Sequence, residues 1–318
     1  MEMKSEIDVS IVIVCMNNLK NLYPCLESIK KYTTVSYETL VVAYLFSKEN
    51  LEKVKKDFPW VTFIESNEIR GFSENNNLAL RQARGKYCFV LNDDTYHSSH
   101  VIDNLVKTID NLPGDAAIVS PVTLNKNGTV QRCGKPKYTI FSYILELMGL
   151  IKKYDSLSKY TNQTGIFLTY NISGAAFLIK TEIFKRVGWF DEKYFFCPED
   201  IALSTKLNNL GYKCFVDSNV KLTHVGGGTW SKTIKATKPA GVKGLCYFYG
   251  EDGYIYKIVY IFLATFEYSL KALYWCAKCL GGLTEKKKTM ITANLHAVYA
   301  LYSRKTPKEL FVRFFKKK

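Results

Sequence analysis

From Val9 to Met16 the chain reads VSIVIVCM, an almost unbroken β-branched and apolar run. Such a run predicts a strand buried on both faces, as in a parallel sheet. It stops at Asn17-Asn18, after which Leu19, Leu22, Leu26 and Ile29 recur at helical spacing. The alternation then repeats. A second buried strand is expected over Thr39–Tyr44, a basic helix around Asn50–Lys56 and a short strand over Val61–Glu65. A helix around Asn75–Arg84 leads into the strand KYCFVLN. Strand alternating with helix predicts an open, Rossmann-like α/β domain with a parallel sheet.

A second half is expected from about Ala116 to His224. It carries strands at Ala117–Ser120, Ser173–Ile179 and Lys213–Val216, and helices at Glu182–Arg186 and Ile201–Leu210, the last stopped by Gly211. Residues 135–170 are aromatic without a clear period, which predicts an irregular loop or lid. From Lys243 the pattern turns helical and amphipathic. There is no internal repeat.

At 318 residues, with 47% hydrophobic and 23% charged positions, the composition is that of a globular chain and excludes a disordered one. MEMKSEIDVS contains no apolar segment of the secretory type. The nine cysteines have no paired spacing, so reduced thiols in a cytoplasmic setting are expected. Cys276 and Cys279 form a lone CxxC within an apolar helical pattern, with no second pair to complete a zinc site. Charge is placed unevenly. Residues 231–318 hold 17 Lys and Arg against 5 Asp and Glu, a balance of +12 out of the total of +15. A nearly neutral body with a strongly basic tail suits an anionic membrane surface or a nucleic acid.

Asn17, the Tyr44 region and Asn92–Asp94 fall where ligands gather in open α/β sheets, beyond the carboxyl ends of strands, and three polar features along the chain could carry chemistry. The first is Asn92-Asp93-Asp94 after FVL. Two adjacent carboxylates repel, so either a polar turn or a divalent cation accounts for them. Pro198-Glu199-Asp200 precedes the helix IALSTKLNNL and reads as a helix cap or as a general base. His224 precedes Val225-Gly226-Gly227-Gly228-Thr229, either a loop histidine or a metal ligand beside phosphate-accommodating glycines.

Taken together, VSIVIVCMNN, RGFSENNNLALRQARGKYCFVLNDDT, SGAAFLIKTEIFKRVGWFDEKYFFCPEDIALSTKLNNLGYK and HVGGGTW resemble a family 2 glycosyltransferase of the inverting, GT-A type. The rhamnosyltransferase-like subgroup is nearest. The resemblance spans about residues 8–230, and four degenerate motifs in the right order carry it. It implies a GT-A catalytic domain over 1–230, with a nucleotide-sugar half to about 115 and an acceptor half from 116, followed by a helical tail over 231–318. It also implies transfer of a sugar from a nucleoside-diphosphate donor, dTDP-rhamnose or a UDP-sugar, to a hydroxyl of a glycan or lipid-linked glycan in polysaccharide biosynthesis.

By this resemblance Asn92 and Asp94 hold the first and third positions of the DxD element. Asp94, with His224, would bind Mg²⁺ or Mn²⁺ as hard oxygen and imidazole ligands do. Asp200 would be the catalytic base and Glu199 would orient it. Asn17, Tyr44, Arg70, Asn76, Asn92 and Asp93 would line the donor site. The chain departs from the family at Val42-Ala43-Tyr44, where many relatives carry an acid that helps hold the nucleobase, and at Cys15-Met16 in place of Thr-Tyr.

In the tail, Lys257, Glu267, Lys271 and Lys278 share an arc of about 80° on one helix over Tyr254–Leu280. This helix could pack on the catalytic domain or lie in a membrane surface at the cytoplasmic face. A spanning role is disfavoured by Glu267 and Lys271 near its middle. Rival functions are a nucleotidylyltransferase, a catalytically inactive sugar- or nucleotide-binding relative, and a basic nucleic-acid-binding protein. The first lacks a Gly-rich loop after the first strand, and no nucleic-acid-binding module is recognisable.

Overall fold

The computed structural model describes residues 7–131, 134–160, 163–226 and 233–315. Nine strands form one sheet. The first half runs β1 (Val9–Cys15), α1 (Leu19–Tyr32), β2 (Tyr37–Tyr44), α2 (Lys48–Asp57), β3 (Thr62–Ser66), α3 (Phe72–Leu80), β4 (Tyr87–Asn92), β5 (Thr95–Tyr96) and α4 (Val101–Asp110). The second half holds β6 (Ala116–Leu124), α5 (Ile140–Leu147), α6 (Ile151–Ser156), β7 (Ile166–Thr169), β8 (Ala176–Lys180), α7 (Thr181–Arg186), α8 (Glu199–Asn209) and β9 (Lys213–His224). The tail is helical: α9 (Ile234–Glu251), α10 (Tyr254–Ala277) with a 3-10 turn at Lys278–Gly281, α11 (Glu285–Tyr302) and α12 (Pro307–Phe315).

Strand order is β3-β2-β1-β4-β8-β6-β9-β5, with β7 on β9. The pairs β1–β2, β1–β4, β2–β3 and β6–β9 are parallel, and β8 runs antiparallel to both β4 and β6. Two reversals across β8 leave β6 and β9 pointing the same way as β4. The carboxyl ends of β1, β2, β4 and β9 therefore share one edge of the sheet, and the entry to β8 joins them there. That geometry brings Asn92-Asp93-Asp94, His224 and the Ser173–Ala175 turn together from distant parts of the sequence.

Alternate residues of the central strands serve opposite faces. Ile11, Ile13, Phe89 and Leu91 pack against Leu22, Leu26 and Ile29 of α1 and Leu105 of α4. Val12, Val42, Cys88 and Val90 pack against Leu80 of α3, Phe184 of α7 and Leu203 and Leu207 of α8. Burial on both faces is why these strands read as continuous apolar runs. Residues 135–170 differ from the irregular lid expected. Ile140–Leu147 and Ile151–Ser156 are helical, and a reciprocal cap between Thr139 and Ser142 starts the first of them. Their buried positions are too few for the period to show. Among the described residues eight cysteines are free, as expected, and no helix is long and apolar enough to cross a membrane.

The tail is joined to the sheet domain by close backbone contact. Phe72 N–H donates to Phe195 O at 2.9 Å, and a Cβ on Gly71 would lie 2.1 Å from that oxygen. A Cβ on Gly244, in α9, would lie 2.3 Å from Cys197 O. The segment just ahead of Glu199-Asp200 is thus gripped from both sides at distances only glycine permits. Gly71→Ala is expected to destabilise the protein by about 1–3 kcal/mol, the usual range for overpacking. Gly114→Ala, where an added Cβ meets nothing within 4 Å, is expected to be silent. Thermal melting of the two variants side by side checks this, and equal melting temperatures would show the Gly71 contact to be loose.

Candidate active site

One cavity of about 390 Å³ opens at the shared sheet edge. Asn92, Asp93, Asp94, Glu199, Asp200 and His224 all line it, as do Tyr44 and Arg70. Two of the residues expected at the donor site lie elsewhere. Asn17, in the left-handed region at φ 49°, accepts hydrogen bonds from Ser47 N and Asn50 Nδ2 and so ties the β1 and β2 loops together. Asn76 is buried and donates to Phe72 O. Its neighbour Asn75 lines the cavity instead, because one helical step turns a side chain by about 100°. Asn75 accepts from Ser66 Oγ at 2.7 Å, and Arg70 Nη1 donates to the same Ser66 oxygen at 3.2 Å. Arg70 N also donates to the Tyr44 hydroxyl at 3.3 Å.

Asp94 is fixed by β9. Its backbone oxygen accepts from Val225 N at 2.9 Å, and its Oδ2 accepts from Gly226 N at 3.0 Å. Its Oδ1 lies 3.3 Å from His224 Nε2. The other face of the imidazole is defined by Gln131, which sequence reading missed. Gln131 Nε2 donates to His224 O at 2.8 Å and to Asn125 Oδ1 at 2.9 Å, so its Oε1, 2.9 Å from His224 Nδ1, accepts. A neutral His224 then carries its proton on Nδ1 and a lone pair on Nε2. Lone pair and carboxylate oxygen face one another, an arrangement that suits a shared cation. Among the described residues no three His, Cys, Asp or Glu side chains cluster as a metal cage. The protein therefore offers two ligands here, and a hard divalent ion would take its remaining oxygens from water or a bound anion. Gly227, Gly228 and Thr229 lie outside the described residues.

Asp93 has a different environment. Burial pushes its carboxyl up to about 7; a hydrogen bond from the Cys15 thiol opposes this, and the Asp94 charge adds to it. Glu199 is also pushed up to about 7, by burial and by the charge of Asp200. Its Oε2 accepts from Cys197 N at 2.5 Å. Asp200 sits in the first turn of α8, two residues beyond the cap position held by Pro198. Its Oδ1 accepts from Ile201 N at 2.8 Å and its Oδ2 from Gly174 N at 3.0 Å. Each oxygen keeps one further lone pair for a third partner.

Apolar walls complete the cavity. Phe195 and Phe196 precede the acidic pair, Thr233 and Thr237 come from the start of α9, and Phe311 comes from α12. Phe195 and Phe311 rings lie 4.8 Å apart. Nothing in the local sequence of α12 marks Phe311 as a site residue, since its contact is formed across more than one hundred positions.

A doubly sided α/β sheet with paired carboxylates at one strand end and a carboxylate–histidine pair beside them has the GT-A arrangement. Residues 10–188 match the model of the family described as glycosyl transferase family 2, and the chain belongs to that family. It is 27% identical over 188 residues to the uncharacterized glycosyltransferase YwdF of Bacillus subtilis (strain 168). That match covers 58% of this chain and 62% of the relative. The fold resembles GalNAc-T7 with UDP, GalNAc and Mn²⁺, with a TM-score of 0.54 and 17% identity over 70% of this chain and 45% of that one. It also resembles the mannosyltransferase PcManGT from Pyrobaculum calidifontis in complex with GDP-Man and Mn²⁺, with a TM-score of 0.54 and 14% identity over 96% and 92% of the two chains.

The raised carboxyl of Asp93 gives a test of site electrostatics. A carboxyl near 7 in the folded chain and near 3.8 when free binds more protons folded than unfolded between those values, so stability falls as pH rises through them. The cost is complete above about pH 7 and absent below about pH 4. In metal-free buffer Asp93→Asn should therefore stabilise the protein at pH 8, by at most about 4 kcal/mol and with a higher melting temperature, and leave stability unchanged at pH 4. A gain that is the same at both pH values would refute the assignment.

Proposed function

We propose that this chain is an inverting, metal-dependent glycosyltransferase that moves a sugar from a nucleoside-diphosphate donor to a hydroxyl of a glycan or lipid-linked glycan. The observation carrying this is the convergence of Asp94, His224 and Asp200 in one cavity from β4, β9 and α8. Family membership and the GT-A fold support it. So do the nucleotide and Mn²⁺ named for the structural neighbours. A dTDP- or UDP-linked sugar is the donor this reading favours, with Tyr44, Arg70 and Asn75 on the donor side. This reading keeps a catalytic domain over 1–230 and a tail over 231–318, and the tail's Phe311 lines the catalytic cavity.

In the reaction, the acceptor hydroxyl oxygen attacks the anomeric carbon of the donor sugar. Its proton passes to Asp200, whose carboxylate is aimed by the amides of Gly174 and Ile201. The bond from the anomeric carbon to the diphosphate oxygen breaks, and its electron pair leaves with the diphosphate. Mg²⁺ or Mn²⁺ held by Asp94 and His224 would offset that departing charge. Gln131 keeps the imidazole lone pair directed at the ion position. Glu199, held on Cys197 N, fixes the turn that presents Asp200. Phe195, Phe196 and Phe311 exclude water from the reacting atoms.

Two substitutions separate the roles. Asp94→Ala should remove the Mn²⁺-dependent part of UDP or dTDP binding in calorimetry while the melting curve stays cooperative. Unchanged nucleotide affinity with Mn²⁺ would remove Asp94 from the metal site. Asp200→Asn should leave that affinity near wild type and lower turnover by at least about 100-fold. It should also lower stability by about 1 kcal/mol, since the new amide nitrogen must face one of the two N–H donors that Asp200 now accepts. Near-normal turnover would reduce Asp200 to an anchor for the first turn of α8.

A further inference from the structure

Helix α10 is packed the wrong way round for a helix of a water-soluble surface. Its outward positions are Ile255, Ile258, Phe262, Phe266, Leu270 and Leu273, spaced by three or four residues along the whole element. Phe262 is 73% exposed, Phe266 61% and Leu273 64%. Its charges point the other way. The Glu267 side chain is only 13% exposed and bonds Lys271 along the helix and the hydroxyl of Tyr143 in α5. A surface helix ordinarily shows solvent its polar face. Here Glu267 is satisfied inside the protein, Lys271 beside it stays half exposed, and an apolar stripe about 27 Å long from Ile255 to Leu273 is left outside.

The surroundings of this stripe state what covers it. The 3-10 turn and the start of α11 carry Lys278, Lys286, Lys287 and Lys288 at its carboxyl end. The α5–α6 segment, which packs on the inner side of α10 through Tyr143, adds exposed Phe141, Met148, Leu150 and Leu157 beside Lys152 and Lys153 to the same region of the surface. Apolar side chains rimmed by lysines match an anionic bilayer, whose headgroups attract the cations while the acyl boundary takes the apolar stripe. A second copy fits poorly, because pairing would juxtapose two tails that each carry +12. No described helix is apolar enough to span.

We propose that the outer face of α10 is an in-plane docking surface for an anionic lipid bilayer. Lipid docking stands apart from sugar transfer, and vesicle binding reads it without a donor or acceptor. The full chain should sediment with phosphatidylglycerol–phosphatidylcholine vesicles at low salt and be partly released at 0.5 M salt, on the order of 4 Å of Debye length. The triple variant Phe262→Gln, Phe266→Gln, Leu273→Gln should bind at least about tenfold more weakly, because binding scales with the apolar area buried. Its melting temperature should not fall, since these side chains contact nothing that folding requires. Lys286→Gln, Lys287→Gln, Lys288→Gln should weaken binding to anionic vesicles alone. Failure of the wild-type chain to sediment with anionic vesicles would overturn the proposal. So would a stable dimer by light scattering that the Phe262, Phe266 and Leu273 changes dissociate.

Discussion

The backbone of Phe195–Cys197 is held between two glycines, and the site depends on that grip. Gly71 caps α3, whose first turn follows the donor-side loop, and Gly244 lies inside α9, the first helix of the tail. Their close approaches to Phe195 O and Cys197 O leave the segment no lateral freedom. Cys197 itself has φ 79°, in a region a side-chain-bearing residue adopts at a cost of order 1–3 kcal/mol. Packing on both sides sustains that conformation, and its product is the placement of Glu199 and Asp200 at the mouth of α8. The same segment turns Phe195 onto Phe311 and into a cluster with Ala236, Ala240 and Leu310. The turn that presents Glu199 and Asp200 and the tail are therefore parts of one packed unit.

A second constraint is electrostatic. Asp93 and Asp94 are neighbours in sequence but differ in surroundings, one enclosed against the Cys15 thiol and the other wired to Gly226 N and His224. The fold raises the affinity of Asp93 for a proton and directs the Asp94 carboxylate toward the His224 lone pair. Separating two like charges in this way suits the cation and diphosphate of the proposed reaction, which together would neutralise both carboxylates.

Much of this was legible in the chain, for physical reasons. Strands buried on both faces announce themselves as β-branched runs, and their carboxyl ends locate Asn92–Asp94 and Tyr44, whereas the strand expected at Lys213–Val216 runs on to His224, further than its apolar run. The first turn of α8 announces Glu199 and Asp200 through the breaker before it and the apolar period after it. Helix phase was less legible. Asn75, Asn76 and Asn77 are chemically alike, and only packing decides that Asn75 faces the cavity while Asn77 ties α3 to Phe190 O. Asn17 was drawn to its loop neighbours instead. Gln131, Gly174 and Phe311 carry no local signal because their roles arise from contacts across 93, 26 and 116 positions.

The tail shows the limit of reading a helix by its pattern alone. An arc holding Lys257, Glu267 and Lys271 predicts the direction of the polar stripe but not which way that stripe faces. The decision lies in Tyr143, Tyr249 and Tyr260, a stack of buried rings between α5, α9 and α10. Tyr143 presents a hydroxyl that needs an acceptor once it is buried, and Glu267 supplies one. Turning α10 over to hide Phe262 and Phe266 would strand that hydroxyl and carry Glu267 out to solvent. A single hydrogen bond to a carboxylate would not outweigh six exposed apolar residues in water. At an apolar boundary that opposing term vanishes, and the observed orientation keeps the contacts of Glu267 with Tyr143 and Lys271 without a cost in exposed apolar surface.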